Sequence, residues 1–211
     1  MTSRFTRGPL RFAGAVLVAL AMVSCGSTAE ESSGTAAATP AGTATATPAG
    51  TTPGPPATGP CPDLEAAEPV EGGLPDLELP CLGEGAAVNL ADLRGTPLVL
   101  NVWAAWCTNC DREMPLFAEA ADRAGDTVRF FGVHYKAPRD YGLQSERDFG
   151  VPFPSVHDED GDLVVSRLGA YAPPQTFFVD ADGRVTGRQI GEITSMQEMA
   201  ELLQRHLGVS L

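Results

Sequence analysis

Two cysteines separated by two residues, Cys107 and Cys110, are the part of the chain best suited to chemistry. They follow a short apolar run over 98–106 and precede a segment with helical spacing of apolar residues, so they lie at a predicted strand-to-helix junction. Unpaired backbone N–H groups and the dipole of a helix N-terminus both favour a thiolate. Such surroundings lower a cysteine pKa from about 8.5 to roughly 3.5–7.5. We therefore predict that Cys107 is a nucleophile near neutral pH.

The second cysteine is placed to complete a disulfide exchange. Cys110 lies one helical turn after Cys107 and can attack a mixed disulfide to release a reduced product. Half of a zinc site is the alternative, but zinc usually needs four ligands in compact pairs. Cys61 and Cys81 are isolated in sequence, and the chain has three histidines. Redox chemistry is therefore the favoured interpretation, and we predict neither a metal nor a cofactor.

The first 60 residues have the composition of an export signal and a tether. Residues 1–24 place three arginines before an apolar stretch that would rise about 18 Å as a helix, against roughly 30 Å for a bilayer core. The stretch ends at Cys25 in a pattern that resembles the lipobox of bacterial lipoproteins, which predicts a lipidated Cys25. Simple secretion, with this cysteine incidental, is the alternative. Residues 25–60, rich in Thr, Ala, Pro, Gly and Ser, indicate a disordered tether.

Charge and cysteine count narrow the possible functions. The net charge of −13 argues against a nucleic-acid partner and leaves no basic patch for anionic lipid. With Cys25 in the anchor, the five cysteines leave an even four in an exported protein. We expect Cys107 to pair with Cys110, and Cys61 with Cys81 in a structural disulfide that stabilises the fold by roughly 3 kcal/mol. A second redox pair that relays electrons to Cys107 is the alternative.

Residues 61–211 predict a single domain of class α/β. The order of its elements is strand, helix, strand, helix, then a hairpin and a last helix, which indicates a mixed sheet flanked by helices. The predicted elements are edge strands in 74–80 and 87–90, a central strand within 98–106, a helix over 111–123, a strand over 127–133, a helix over 138–149, a short helix around 164–168, a hairpin of 176–179 and 184–190, and a helix that begins at Ser195.

Four segments resemble the thioredoxin superfamily, specifically the membrane-anchored TlpA/ResA group that includes the cytochrome c maturation thioredoxins named DsbE or CcmG. They are Asn-Val-Trp-Ala-Ala-Trp-Cys-Thr-Asn-Cys at 101–110, Glu113 with Pro115, Gly-Val-His-Tyr-Lys at 132–136, and Gly-Ala-Tyr-Ala-Pro-Pro-Gln-Thr-Phe at 169–177. A Cys-x-x-Cys pair alone is weak evidence, but the neighbouring tryptophan, helix proline and Pro-x-Thr-Phe strand entry make it specific. The resemblance covers about residues 74–207 and implies a thioredoxin fold with an N-terminal extension.

The resemblance also implies a substrate surface. Pro174 falls where the superfamily keeps a cis proline, whose sharp turn leaves backbone groups free to pair with an extended substrate. Together with Pro173 and Trp106 it would present the site to a protein substrate. The alternative for Pro174 is an ordinary loop proline, and the alternative for Trp106 is a half-buried aromatic residue of the fold.

A carboxyl is predicted beside the second cysteine. Glu113 comes three residues after Cys110, so helical spacing places the two side chains together. In the resembling family an acid at this place assists proton transfer, and partial burial would raise its pKa. Asn101 stands where cytoplasmic thioredoxins carry a buried Asp, and an amide cannot accept a proton. A solvated helix glutamate is the alternative for Glu113.

Two departures from the family leave the direction of electron flow open. Gln175 stands where the cytochrome maturation proteins have Glu. The dipeptide Thr108-Asn109 lacks the proline common in reducing members and can donate hydrogen bonds to a Cys107 thiolate, which favours an oxidant.

The predicted protein is an extracytoplasmic thiol-disulfide oxidoreductase that is anchored by lipid to the outer face of the bacterial cytoplasmic membrane. We expect a monomer that reduces disulfides in cysteine-containing exported proteins, apocytochrome c among them, and is served by a membrane redox partner. The alternatives are a disulfide-forming oxidase of the same fold, a thiol peroxidase and a metal-binding lipoprotein. A peroxidase is disfavoured because residues 100–106 lack the Pro and the Thr or Ser that hold peroxide.

Overall fold

The structure is a computed structural model that describes residues 59–211. The predicted signal segment, Cys25 and nearly all of the predicted tether lie outside the described residues, so what was said of them stays a prediction. Within the described part, no helix is both long enough and apolar enough to cross a membrane.

Residues 59–211 contain seven strands and three α-helices. In chain order these are β1 (Glu78–Leu79), β2 (Val88–Asn89), β3 (Leu98–Trp103), α1 (Thr108–Ala124), β4 (Arg129–Tyr135), α2 (Arg139–Phe149), β5 (Ser155–Asp158), β6 (Gln175–Val179), β7 (Val185–Ile190) and α3 (Met196–Leu207). A single π-helical turn, Val164–Leu168, takes the place of the predicted short helix.

Five of the strands form one mixed sheet in the order β5-β4-β3-β6-β7. The strands β3, β4 and β5 are parallel, while β6 pairs antiparallel with both β3 and β7. All six residues of β3 are buried, as expected when an uninterrupted apolar run forms a central strand covered on both faces. The predicted fold class, a thioredoxin-like α/β domain with a mixed sheet, is confirmed.

The helix ends follow local sequence chemistry. The helix α3 begins after Ser195, whose Oγ accepts a hydrogen bond from the backbone N–H of Glu198. Gly150 ends α2 and Gly208 ends α3, both in the left-handed conformation that glycine adopts without steric cost. The helix α1 starts three residues earlier than predicted, at Thr108, because Cys107 itself serves as its N-cap. Its sulfur accepts the backbone N–H of Cys110, which holds the first cysteine at the helix N-terminus.

The N-terminal extension covers one edge of the sheet. The outer edge of β5 is paired by an isolated bridge between Cys81 and Val156 and by hydrogen bonds from Leu82 N–H to the Ser155 carbonyl and from His157 N–H to the Pro80 carbonyl. A disulfide joins Cys61 to Cys81, with Cα atoms 6.0 Å apart. The extension therefore supplies backbone partners that an exposed edge strand would lack.

Candidate active site

The two central cysteines lie at the junction of β3 and α1. Their sulfurs are joined in a disulfide, with Cα atoms 5.2 Å apart. The backbone N–H of Cys110 donates to Cys107 Sγ at 3.2 Å. Cys107 is 6% exposed and Cys110 is fully buried, so the first cysteine is the more accessible of the two. The helix N-terminus and this N–H donor both stabilise negative charge on Cys107 Sγ.

Trp106, just before the first cysteine, is 56% exposed. Its indole N–H donates to the Lys136 carbonyl oxygen at 2.7 Å, which fixes the ring at the surface. Beside it runs a groove of about 320 Å³ with mainly apolar walls, lined by Ala105, Trp106, Lys136, Ala137, Pro138 and Tyr141. An exposed and anchored indole is suited to contact another polypeptide.

The proline pair directly precedes β6, the strand that pairs with β3. The Pro173–Pro174 peptide bond is cis, at the position where the family resemblance places a cis proline. Gln175 begins β6 and pairs with Val102 near the end of β3. The register of these two strands therefore places Pro174 beside the end of β3 that leads to Cys107. Pro174 is buried and Pro173 is half-buried.

Glu113 is fully buried on α1, which makes the alternative of a solvated helix glutamate wrong. Its Oε1 accepts from the Asn101 amide at 3.0 Å, and its Oε2 accepts from the Ile193 backbone N–H at 3.1 Å. Burial, together with the negative charges of Glu192 and Glu198, raises the pKa of Glu113 to about 7, although the two donors act to lower it. A carboxyl that titrates near neutral pH can take or give a proton under physiological conditions.

Two amide side chains support these groups. Asn101, buried on β3, donates to Glu113 and so holds the carboxyl rather than replacing it as a base. Gln175 is buried and donates to the Ala172 carbonyl at 2.7 Å, while its Oε1 accepts from the guanidinium of Arg188. The residue that departs from the family pattern therefore braces the loop that carries Pro173 and Pro174.

Two of the three histidines form a buried pair, and the third lies apart from them. His134 and His157 are buried and stacked, with their Nδ1 atoms 3.0 Å apart. Burial lowers the pKa of His134 to about 3 and lowers that of His157 as well, so both rings are neutral at physiological pH. His206 stacks on Phe178. Among residues 59–211, no group of three or more metal-ligating side chains could hold a metal ion.

Sequence analysis missed three contributors to the site. The Ile193 N–H and the Lys136 carbonyl are backbone groups and carry no signature in the sequence. Arg112 pairs with Glu192 at 2.6 Å, and this pair joins residues 80 positions apart, so no local pattern could have found it.

Comparisons with known proteins fit this geometry. The model of the AhpC/TSA family matches residues 70–188. The thiol:disulfide interchange protein DsbE of Pseudomonas fluorescens biotype C is 34% identical over 133 residues, which cover 63% of this chain and 72% of that protein. The structure of DsbF from MTB superposes with a TM-score of 0.54 at 28% identity, covering 60% of this chain and 91% of that one. A secreted Mycobacterium tuberculosis disulfide oxidoreductase homologous to E. coli DsbE gives 0.53 at 25% identity, with coverage of 60% and 92%.

Proposed function

We propose, from the premise that this chain belongs to the AhpC/TSA family and is a thioredoxin-like protein disulfide oxidoreductase, that it reduces disulfides in exported proteins. The observation that carries the proposal is the arrangement of one cystine: Cys107 caps a helix and accepts a backbone N–H at its sulfur, while Cys110 is fully buried on the same helix as Glu113.

The exchange follows from this arrangement. The reduced Cys107 thiolate attacks one sulfur of a substrate disulfide, forms a mixed disulfide and releases the other substrate sulfur as a thiolate. Glu113 takes the proton of the Cys110 thiol, and the Cys110 thiolate then attacks Cys107 Sγ. This second step closes the Cys107–Cys110 disulfide and releases the second substrate sulfur, so two electrons pass to the substrate. A dithiol protein of the membrane must then reduce the pair again.

The proposed substrates meet the site at its exposed surface. Trp106 and the groove beside it would contact residues that flank the substrate cysteine, and Pro173 and Pro174 would border the other side. The family resemblance makes apocytochrome c a candidate among cysteine-containing exported proteins. The roles of Trp106 and of the proline pair are supported by the exposure of the indole and by the position of the prolines beside the end of β3 that leads to Cys107.

We place this activity outside the cytoplasm, in a monomer held by a lipid on Cys25 at the outer face of the bacterial cytoplasmic membrane. The support is the sequence of the export signal and tether, together with the secreted relative from Mycobacterium tuberculosis. The Cys61–Cys81 bridge fits the same compartment, since structural disulfides persist in oxidising environments. Radiolabelled palmitate incorporation that is lost in Cys25→Ser tests the anchor.

The direction of electron flow is tested by the reduction potential of the pair. A value near that of thioredoxin, about −270 mV, supports a reductase, and a value near about −120 mV supports the alternative, a disulfide-forming oxidase. Cys110→Ser, expressed in the native host, should trap mixed disulfides with exported proteins, and the double variant Cys107→Ser/Cys110→Ser is its control. A single variant that traps no more protein than the double variant contradicts the proposal.

Two further alternatives have their own tests. Peroxide consumption that survives Cys110→Ser would support a thiol peroxidase, because a peroxidatic cysteine forms its sulfenic acid without the second thiol. Stoichiometric metal in protein isolated under reducing conditions would support a metal-binding lipoprotein.

A further inference from the structure

Three consecutive residues after β7 contact three different parts of the candidate site. The Gly191 N–H donates to the Pro174 carbonyl at 3.0 Å, the Glu192 carboxylate pairs with Arg112, and the Ile193 N–H donates to Glu113 Oε2 at 3.1 Å. Gly191 has a φ of 94°, which favours glycine. This stretch, called here the 191–193 segment, therefore links the proline pair to the helix that carries both cysteines.

The ion pair within this link has good geometry. Arg112 Nε lies 3.0 Å from Glu192 Oε1, and its Nη2 lies 2.6 Å from Glu192 Oε2, a bidentate arrangement. The side chain of Glu192 is only 17% exposed, although that of Arg112 is 54% exposed. The same Nη2 donates to Asn109 Oδ1 at 2.6 Å, so the pair also holds the dipeptide between the cysteines. Bidentate and partly buried pairs hold their partners better than most surface ion pairs.

Two adjacent residues of α1, Arg112 and Glu113, therefore contact two adjacent residues of the 191–193 segment. Arg112 binds Glu192 at the surface, and Glu113 accepts from Ile193 in the interior. The Ile193 N–H lowers the pKa of Glu113, whereas the negative charge of Glu192 raises it. Loss of the Ile193 donor would therefore raise the pKa of Glu113, whereas loss of the Glu192 charge alone would lower it.

We propose that Arg112 and Glu192 are positioning residues whose ion pair holds the 191–193 segment against α1 and keeps the Ile193 N–H on the Glu113 carboxyl. The inference rests on the proposed function only for the use of Glu113 as a proton acceptor. The other groups that act on Glu113 are the Asn101 amide from β3, which donates to it, and the negative charge of Glu198 on α3. The carboxylate of Glu198 is engaged by the backbone N–H and hydroxyl of Thr194.

The test follows two signals in the oxidised full-length protein: amide hydrogen exchange at Ile193, and the ¹³C NMR titration of the Glu113 carboxyl between pH 5 and 9, identified with Glu113→Gln. The variants are Arg112→Gln, which removes the partner, and Glu192→Asp, which keeps the charge but shortens the reach. We expect both to speed exchange at Ile193 by about five-fold, the scale of a well-formed ion pair. Both should also raise the pKa of Glu113, because its carboxylate loses a donor.

The chain offers a matched control on the same helix. Arg123 pairs with Glu119, and its side chain is 54% exposed, as is that of Arg112. Arg123→Gln should leave both signals unchanged, so an equal shift in this variant overturns the proposal. It is also overturned if exchange at Ile193 stays at the wild-type rate in Arg112→Gln and Glu192→Asp, whether or not the Glu113 titration moves. Neither signal requires substrate, so wild-type protein that fails to exchange disulfides would contradict the proposed function and leave this test intact.

Discussion

The two disulfides of the domain are almost equally buried, but the backbone groups next to their sulfurs have opposite polarity. Cys61 and Cys81 are 6% and 4% exposed, and Cys107 and Cys110 are 6% and 0% exposed. A backbone N–H points at Cys107 Sγ from 3.2 Å. Carbonyl oxygens face the other pair: that of Ser155 lies 3.5 Å from Cys61 Sγ and that of Glu84 lies 3.0 Å from Cys81 Sγ.

Burial alone therefore does not separate the cystine that we propose to be redox-active from the one that we predict to be structural. An N–H group stabilises a thiolate, whereas a carbonyl oxygen destabilises it, so we expect the polarity of the surrounding backbone to favour exchange at Cys107. The bridges also close loops of different size, with separations of 3 and 20 residues. The longer loop restricts the unfolded chain more and therefore contributes more to stability.

The largest expected effect is on disulfide exchange. Cys107→Ser should reduce insulin at no more than the uncatalysed rate in a dithiothreitol-coupled turbidity assay, because Cys107 is the N-cap of α1 and, among residues 59–211, no other cysteine caps a helix. Cys61→Ser/Cys81→Ser, assayed at a temperature where it is folded, should retain activity within a few-fold. An equal loss of activity in both variants would contradict the prediction that exchange depends on Cys107 and not on the Cys61–Cys81 bridge.

The next effect is on the free energy of unfolding. Cys61→Ala/Cys81→Ala should lower it by about 3 kcal/mol, since the bridge closes a long loop. The matched variant Cys107→Ala/Cys110→Ala should lower it by roughly half as much, because its loop is short. Urea unfolding of the oxidised proteins measures both values. A larger loss from the short loop would show that the central bridge is the structural one.

A third effect is the pH dependence of stability that Glu113 causes. Its pKa rises from 4.5 in the unfolded chain to about 7 in the fold, so the native state binds more protons between these values. The contribution of the protonated carboxyl is fully present below pH 4.5 and is lost as pH rises through 7. The free energy of unfolding of wild-type protein, relative to Glu113→Gln, should therefore fall by about 2 kcal/mol between pH 5 and 8.

Urea unfolding of both proteins at these two pH values measures the difference, and Glu119→Gln, an exposed glutamate on the same helix, is the control. Parallel pH profiles for wild-type protein and Glu113→Gln would mean that the buried carboxyl does not titrate in this range.

The smallest expected effect is a difference in thiol pKa between the two cysteine pairs. In the reduced protein, the pKa of Cys107 should lie at least about one unit below the ordinary value of 8.5, a difference of about 1.4 kcal/mol. The pKa values of Cys61 and Cys81 should lie at or above 8.5, because carbonyl oxygens face their sulfurs. Iodoacetamide alkylation rates against pH, with each cysteine identified by mass spectrometry, give these values. Indistinguishable titration of all three would remove the electrostatic distinction between the pairs.

Much of the fold could be predicted because its signals are local. The central strand, the hairpin and the Ser195 cap follow from patterns within a few residues, and the structure confirms them. The predicted start of α1 was three residues too late because cysteine is not among the usual N-cap residues, yet the Cys107 sulfur caps this helix.

The α/β class and the spacing that puts two sulfurs within bonding distance can be derived from the amino-acid order alone, since periodicity and spacing are properties of contiguous residues. The complete burial of Glu113, and the network in which Ile193 and Arg112 join it, arise only when distant parts of the chain pack together. These contacts link residues 80 positions apart. The backbone groups that distinguish the two cystines are present in every chain, so their effect arises from where folding places them.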